Sequence, residues 1–155
     1  SSVPIYALGQ MLGAMLGALV VWMTYRQHFD ATTDPNMQLA AFCSGPAIRN
    51  PFYNIITEAV GTFMLVFGVM MIVSPQSSLG ALDALPVALL LFGIGLSLGG
   101  PTGFVVNPAR DLGPRIMHAI LPMTNKRDSD WGYAYVPIVG GFIGGLIAAE
   151  VYSLL

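Results

Sequence analysis

Four stretches of the 155-residue chain are apolar and almost free of charge. An α-helix needs roughly 20 such residues to cross the hydrocarbon of a bilayer. No charged residue lies in 3–25, Glu58 is alone in 52–73, none lies in 84–98, and Glu150 is alone in 133–155. The pattern predicts four spans over those ranges, the third of them short. That short run ends in Gly99-Gly100-Pro101, and a Gly/Pro-interrupted segment points to a transport site in membrane proteins. Residues 102–106 then read as extended. Asn107 caps a further helix with Pro108 at its first position, where the missing N–H is no loss. This helix, from 108 to about 120, is too short to cross and is expected to re-enter. The connections are a long polar one (26–51, rich in Asp, Asn, Pro and Thr), a short turn-rich one (74–83) and a polar loop (121–130).

Composition agrees with a membrane setting. Hydrophobic residues make up 55%, charged residues only 9%, and the mean hydropathy is +0.70. Soluble domains carry about a quarter charged residues. The fold class is therefore all-α transmembrane, in preference to a soluble bundle with unusually apolar helices. A net charge of −2, with no basic cluster larger than Lys126-Arg127, gives no footprint for nucleic acid. The single cysteine, Cys43, cannot form an internal disulfide. Ser1-Ser2 leads straight into an uncharged segment too long for a signal-peptide core and without preceding basic residues, so an amino-terminal portion is expected to be missing.

The polar exceptions carry the chemistry. Asn107-Pro108-Ala109-Arg110-Asp111 places an amide and a guanidinium just after the broken apolar run. Irregular backbone at bilayer depth survives only where protein or cavity water satisfies it, and an arginine there marks a pathway or site by default. The pentapeptide reads as a polar constriction. A second pattern concerns small residues: Gly9, Gly13, Ala14, Gly17 and Ala18 recur as Gly140, Gly144, Gly145, Ala148 and Ala149, at one constant offset. Such rows let helices approach closely, and their common spacing suggests corresponding parts of two internal repeats. On that reading 1–51 holds the last helix of a first repeat plus a connecting loop, and 52–155 is a second, inverted repeat with the re-entrant loop.

The run GPTGFVVNPARDLGPR, residues 100–115, resembles the second Asn-Pro-Ala loop of the major intrinsic proteins, the aquaporin family. Asp111, directly after Arg110, resembles the glycerol-conducting branch, the aquaglyceroporins. The resemblance covers the chain from the family's third spanning helix to its sixth. It implies four spans plus one half-helix of a six-plus-two bundle that assembles as a homotetramer. Gly95 stands where water channels usually place a constricting histidine, Phe104 where they often have a small residue, and Pro137-Ile138 matches the Pro-aliphatic pair of the glycerol branch. All three favour the wider, more apolar pore.

Glycerol has hydroxyls along one edge and carbons along the other, so a single-file path for it needs donors and acceptors on one wall and an apolar wall opposite. Arg110 offers five donors in a fixed fork, and Asn107 an amide donor. Gly103, Phe104 and Val105 can point carbonyls inward, as the family's loop does, and Phe104 supplies the apolar face. Arg110 repels cations, the amino end of the half-helix adds partial positive charge, and a narrow pore strips hydration that few dipoles replace. Protons meet the same barrier. The resemblance thus implies a passive channel for glycerol and other small neutral polyols, with some water, in the cell membrane. The alternatives are a water-selective aquaporin and a proton-coupled secondary transporter that uses Glu58.

Other residues carry plainer readings. In the family, the positions of Gln10 and Glu58 hold the backbone of the re-entrant loops, so both are read as structural supports. Asp111 in the first helical turn, favoured by the helix dipole, is read as a third. His28 and His118 lack companions at metal-ligand spacing, and the methionines lack converging partners, so no metal or other cofactor is expected. Trp22, Trp131, Tyr133 and Tyr135 suit an interfacial belt at span ends. No nucleophile elbow, phosphate loop or paired-carboxylate arrangement suggests an enzyme. All six basic residues lie in 26–51 or 110–130. Charge alone would place those connections in the cytoplasm, whereas the resemblance puts them outside and is preferred.

Overall fold

The computed structural model describes residues 2–72 and 80–155, which are helical or irregular throughout. Four helices are long and apolar enough to cross a membrane: α1 (Val3–Thr24), α4 (Pro51–Ile72), α5 (Ala84–Thr102) and α7 (Tyr135–Ser153). Between α1 and α4 lie two short helices, α2 (Arg26–Ala31) and α3 (Pro35–Ala40); between α5 and α7 lies α6 (Pro108–Ile120). The 13 residues of α6 rise about 20 Å at 1.5 Å each, well short of the hydrocarbon thickness. The all-helical reading, the four spans and the short sixth helix are as the sequence predicts. The 74–83 connection lies outside the described residues except for its end, where Gly80–Leu82 forms a single 3₁₀ turn.

Two local expectations change. The third span does not stop at Gly99. α5 continues through Gly99, Gly100 and Pro101 to Thr102, because a proline in the last turn removes one N–H but leaves the remaining carbonyls to be capped. Gly103, at φ 83°, ends the helix in the left-handed conformation and donates its N–H to the Gly99 carbonyl at 2.9 Å. The Pro101 carbonyl accepts from Ala47 N–H at 3.0 Å. The second change is in the 26–51 connection, which is partly helical. Asp34 caps α3 by accepting from Asn36 N–H at 2.8 Å, with Pro35 in the first turn.

The chain forms two compact units. Ser1–Gly45 with Asn107–Ala134 is one; Pro46–Val106 with Tyr135–Leu155 is the other. In the first, α6 packs against α1 closely enough that a Cβ at Gly113 would lie 2.8 Å from the Ala14 Cβ. Ala18, Phe29, Phe42 and Leu121 form its buried core. In the second, α4 packs against both α5 and α7. A Cβ at Gly140 would come within 2.6 Å of the Glu58 Cβ, and one at Gly144 would overlap the Ala59 carbonyl, so only glycine permits this crossing. Along the outer side of α1, Leu8, Leu12, Leu16 and Val20 are all largely exposed, an apolar surface that water would disfavour and lipid or protein would not.

Candidate functional site

The irregular run after α5 is held by one carboxylate. Phe104 and Val106 both have positive φ, at 56° and 43°, a region that costs a non-glycine residue, and a β-branched valine above all, of order 1–2 kcal/mol. The run is therefore not the plain extended segment that the sequence suggests; left-handed residues recur along it. Such backbone turns successive N–H groups toward one side, where they form an anion-binding concavity. Glu58 occupies it: the Val105 N–H donates to Oε1 at 3.3 Å and the Val106 N–H to Oε2 at 2.9 Å. Glu58 is only 2% exposed. In a trans peptide the carbonyl points opposite to the N–H of the same unit. With the Val105 and Val106 N–H groups turned to Glu58, the Phe104 and Val105 carbonyls point away from it as a short row of acceptors.

The Phe104 ring lies on the face of α5 that carries Gly95 and Gly99. A Cβ at Gly95 would sit 3.3 Å from the ring's Cε1 and 3.5 Å from its Cδ1, and a Cβ at Gly99 would meet the Phe104 Cβ at 3.6 Å. The absence of side chains at these two positions gives the ring its seat. A large side chain at 95 would compete for the same space, which links two residues that the sequence suggests separately.

The other half of the motif belongs to the first unit. Asn107, with extended backbone, caps α6: its Oδ1 accepts from Ala109 N–H at 2.9 Å, and Pro108 occupies the first turn. Its Nδ2 donates to the Gln10 Oε1 at 3.2 Å. Gln10 thus fixes the orientation of the Asn107 amide, through the side chain and not through loop backbone. Arg110 N–H bonds the Asn107 carbonyl at 3.1 Å. The Arg110 side chain is exposed and, among the described residues, makes no hydrogen bond or ion pair, so its five donors remain available.

Asp111 faces inward. Its Oδ1 accepts from both the N–H and the hydroxyl of Ser44, at 2.8 and 2.7 Å. It also pairs with Arg115 one turn along the helix, whose Nε reaches Oδ2 at 2.8 Å and whose Nη2 reaches Oδ1 at 3.0 Å. Arg115 continues to the carbonyls of Ser129 (2.7 Å), Asp130 (2.9 Å) and Ser44 (3.0 Å), and is fully buried. Beside this network Cys43 is buried, which pushes its thiol up to about 12. Ser44, Arg115 and Ser129 were not singled out from the sequence. The i,i+4 spacing of Asp111 and Arg115 on a short helix is the signal that could have found two members of the group; nothing local marks Ser44.

These features define an all-helical, multi-pass membrane protein with a short helix that starts at the Asn-Pro-Ala sequence. The chain belongs to the major intrinsic protein family, whose profile matches residues 1–152. It is 51% identical over its whole length to a probable glycerol uptake facilitator protein of Thermotoga maritima. It is 48% identical, over 97% of its length, to glycerol uptake facilitator protein 3 of Lactiplantibacillus plantarum. The aquaglyceroporin from Plasmodium falciparum has a similar structure, with a TM-score of 0.84 over 97% of this chain at 26% identity. The chain spans 66% and 62% of the two bacterial relatives and 62% of the Plasmodium chain.

Proposed function

We propose that the protein containing this chain is a passive channel for glycerol and other small neutral polyols, admitting some water and excluding ions and protons. The observation that carries this reading is the run at 103–106. Glu58 takes the N–H groups of Val105 and Val106, the carbonyls of Phe104 and Val105 are turned the other way, and Phe104 rests on Gly95. An acceptor row beside an apolar ring matches a solute with hydroxyls on one edge and carbons on the other. Residues 107–110, next in the sequence, carry donors: the Arg110 fork and the Asn107 amide, the latter oriented by Gln10. The names of the bacterial relatives support glycerol as the solute.

The alternatives fit these residues less well. A water-selective pore needs a narrower constriction, whereas position 95 has no side chain. A proton-coupled transporter driven through Glu58 would need that carboxylate free to exchange protons, yet both of its oxygens accept backbone N–H groups. The family resemblance supports assembly as homotetramers in the cell membrane. The test is radiolabelled glycerol uptake by proteoliposomes of the full-length protein, with and without a proton gradient. Uptake that equilibrates and ignores the gradient supports the channel; uptake that concentrates glycerol in proportion to the gradient refutes it.

A further inference from the structure

We propose that Asp111 and Arg115 are positioning residues for the filter arginine: their buried network sets the roll of α6 about its own axis and so the direction in which Arg110 projects. This rests on the polyol-channel reading above.

Arg110 and Asp111 are neighbours on α6, and Arg115 lies one turn beyond Asp111. At 100° per residue, Asp111 stands about 100° and Arg115 about 140° around the helix from Arg110. The exposed arginine and the buried pair therefore occupy different sides of one short helix. The buried side is bound to two separate pieces of chain: to Ser44 before α4, and to the Ser129 and Asp130 carbonyls after α6. His118, one turn further, adds a hydrogen bond between its Nδ1 and the Ser129 hydroxyl at 2.8 Å.

A fully buried ion pair is weak evidence for stability, because desolvation offsets much of the attraction; its best-supported use is to fix one arrangement against others. The arrangement fixed here is rotational. On this 13-residue helix a roll of about 10° carries a side-chain tip at about 6 Å from the axis by about 1 Å. That exceeds the tolerance of about 0.5 Å within which a selective site must be held. Arg115 makes five hydrogen bonds through a planar fork. Lysine has three donors on a single point and cannot reproduce them.

The experiment compares wild type with Arg115→Lys in the full-length protein, reconstituted at equal folded amounts. Two quantities are read: the ratio of glycerol to erythritol permeability, and the rate at which N-ethylmaleimide modifies Cys43, followed on its own peptide by mass spectrometry. Cys43 precedes Ser44 and is 4% exposed, so it reports the network independently of transport. The expected result is that the permeability ratio falls by about threefold or more, as a site loosened past its tolerance should, while Cys43 reacts faster. An unchanged ratio, with or without faster labelling, overturns the proposal. If Arg115→Lys does not fold, Ser44→Ala, which removes one hydroxyl from the network, is read in the same way with a smaller expected change. Wild-type liposomes that pass no polyol would refute the channel reading itself, a result separate from any variant effect.

Discussion

Two buried carboxylates, one in each compact unit, hold their surroundings by different means. Glu58, in the unit that contains α4, α5 and α7, accepts, among the described residues, only neutral backbone N–H groups, those of Val105 and Val106. Asp111, in the unit that contains α1 and α6, shares its oxygens with a buried guanidinium and with Ser44. The first carboxylate stabilises backbone that would otherwise pay for two positive-φ residues. The second fixes regular helix against its neighbours. A strained loop needs acceptors where its N–H groups converge, whereas a short helix with satisfied backbone needs side-chain links on one face.

The comparison predicts unequal losses. Arg115→Ala should be the most damaging, because it leaves the Asp111 carboxylate buried without a counter-charge and takes the guanidinium donors from the Ser44 and Ser129 carbonyls. Breaking a buried pair in this way costs about 3–5 kcal/mol, to be read as a large fall in the thermal unfolding midpoint of detergent-solubilised protein. Glu58→Gln should cost less, about 1–3 kcal/mol, since the amide can accept one N–H but leaves the other unsatisfied. It should also reduce glycerol flux more than Arg115→Lys does, because the acceptor row itself would shift. A Glu58→Gln protein with wild-type melting and flux would show that the run at 103–106 does not depend on this carboxylate. Ser44→Ala should have the smallest effect, about 1 kcal/mol for one hydrogen bond. Equal losses for Arg115→Ala and Ser44→Ala would break the distinction drawn here.

Much of this was legible in the sequence, for physical reasons that differ between regions. The spans were legible because a bilayer demands long uncharged runs, and α6 because Asn107-Pro108 is a strong helix start. The sequence pattern ends α5 four residues early, since a Gly-Gly-Pro run reads as a break although a proline near a C-terminus removes little. Gly95 and Phe104 stand out in the sequence, but their contact depends on the backbone reversal at Gly103, which brings the ring back along α5. The network of Ser44, Asp111, Arg115 and Ser129 was hidden because its members are up to 85 residues apart and meet through carbonyls, which no side-chain pattern encodes. The small-residue rows divide in the same way. On α7, Gly140 and Gly144 receive α4 closely, whereas Gly9, Gly13 and Gly17 of α1 have open space beside them in this structure.

The acceptor row and the Phe104 ring together should select small polyols. Stopped-flow light scattering of proteoliposomes, with glycerol, erythritol and sorbitol as osmolytes, tests it directly when wild type is set beside Phe104→Ala. Rapid glycerol entry and no sorbitol entry are expected for the wild type, with a cutoff shifted toward bulkier polyols in the variant. Glycerol entry no faster than in empty liposomes, or a size cutoff identical in the two proteins, would contradict it.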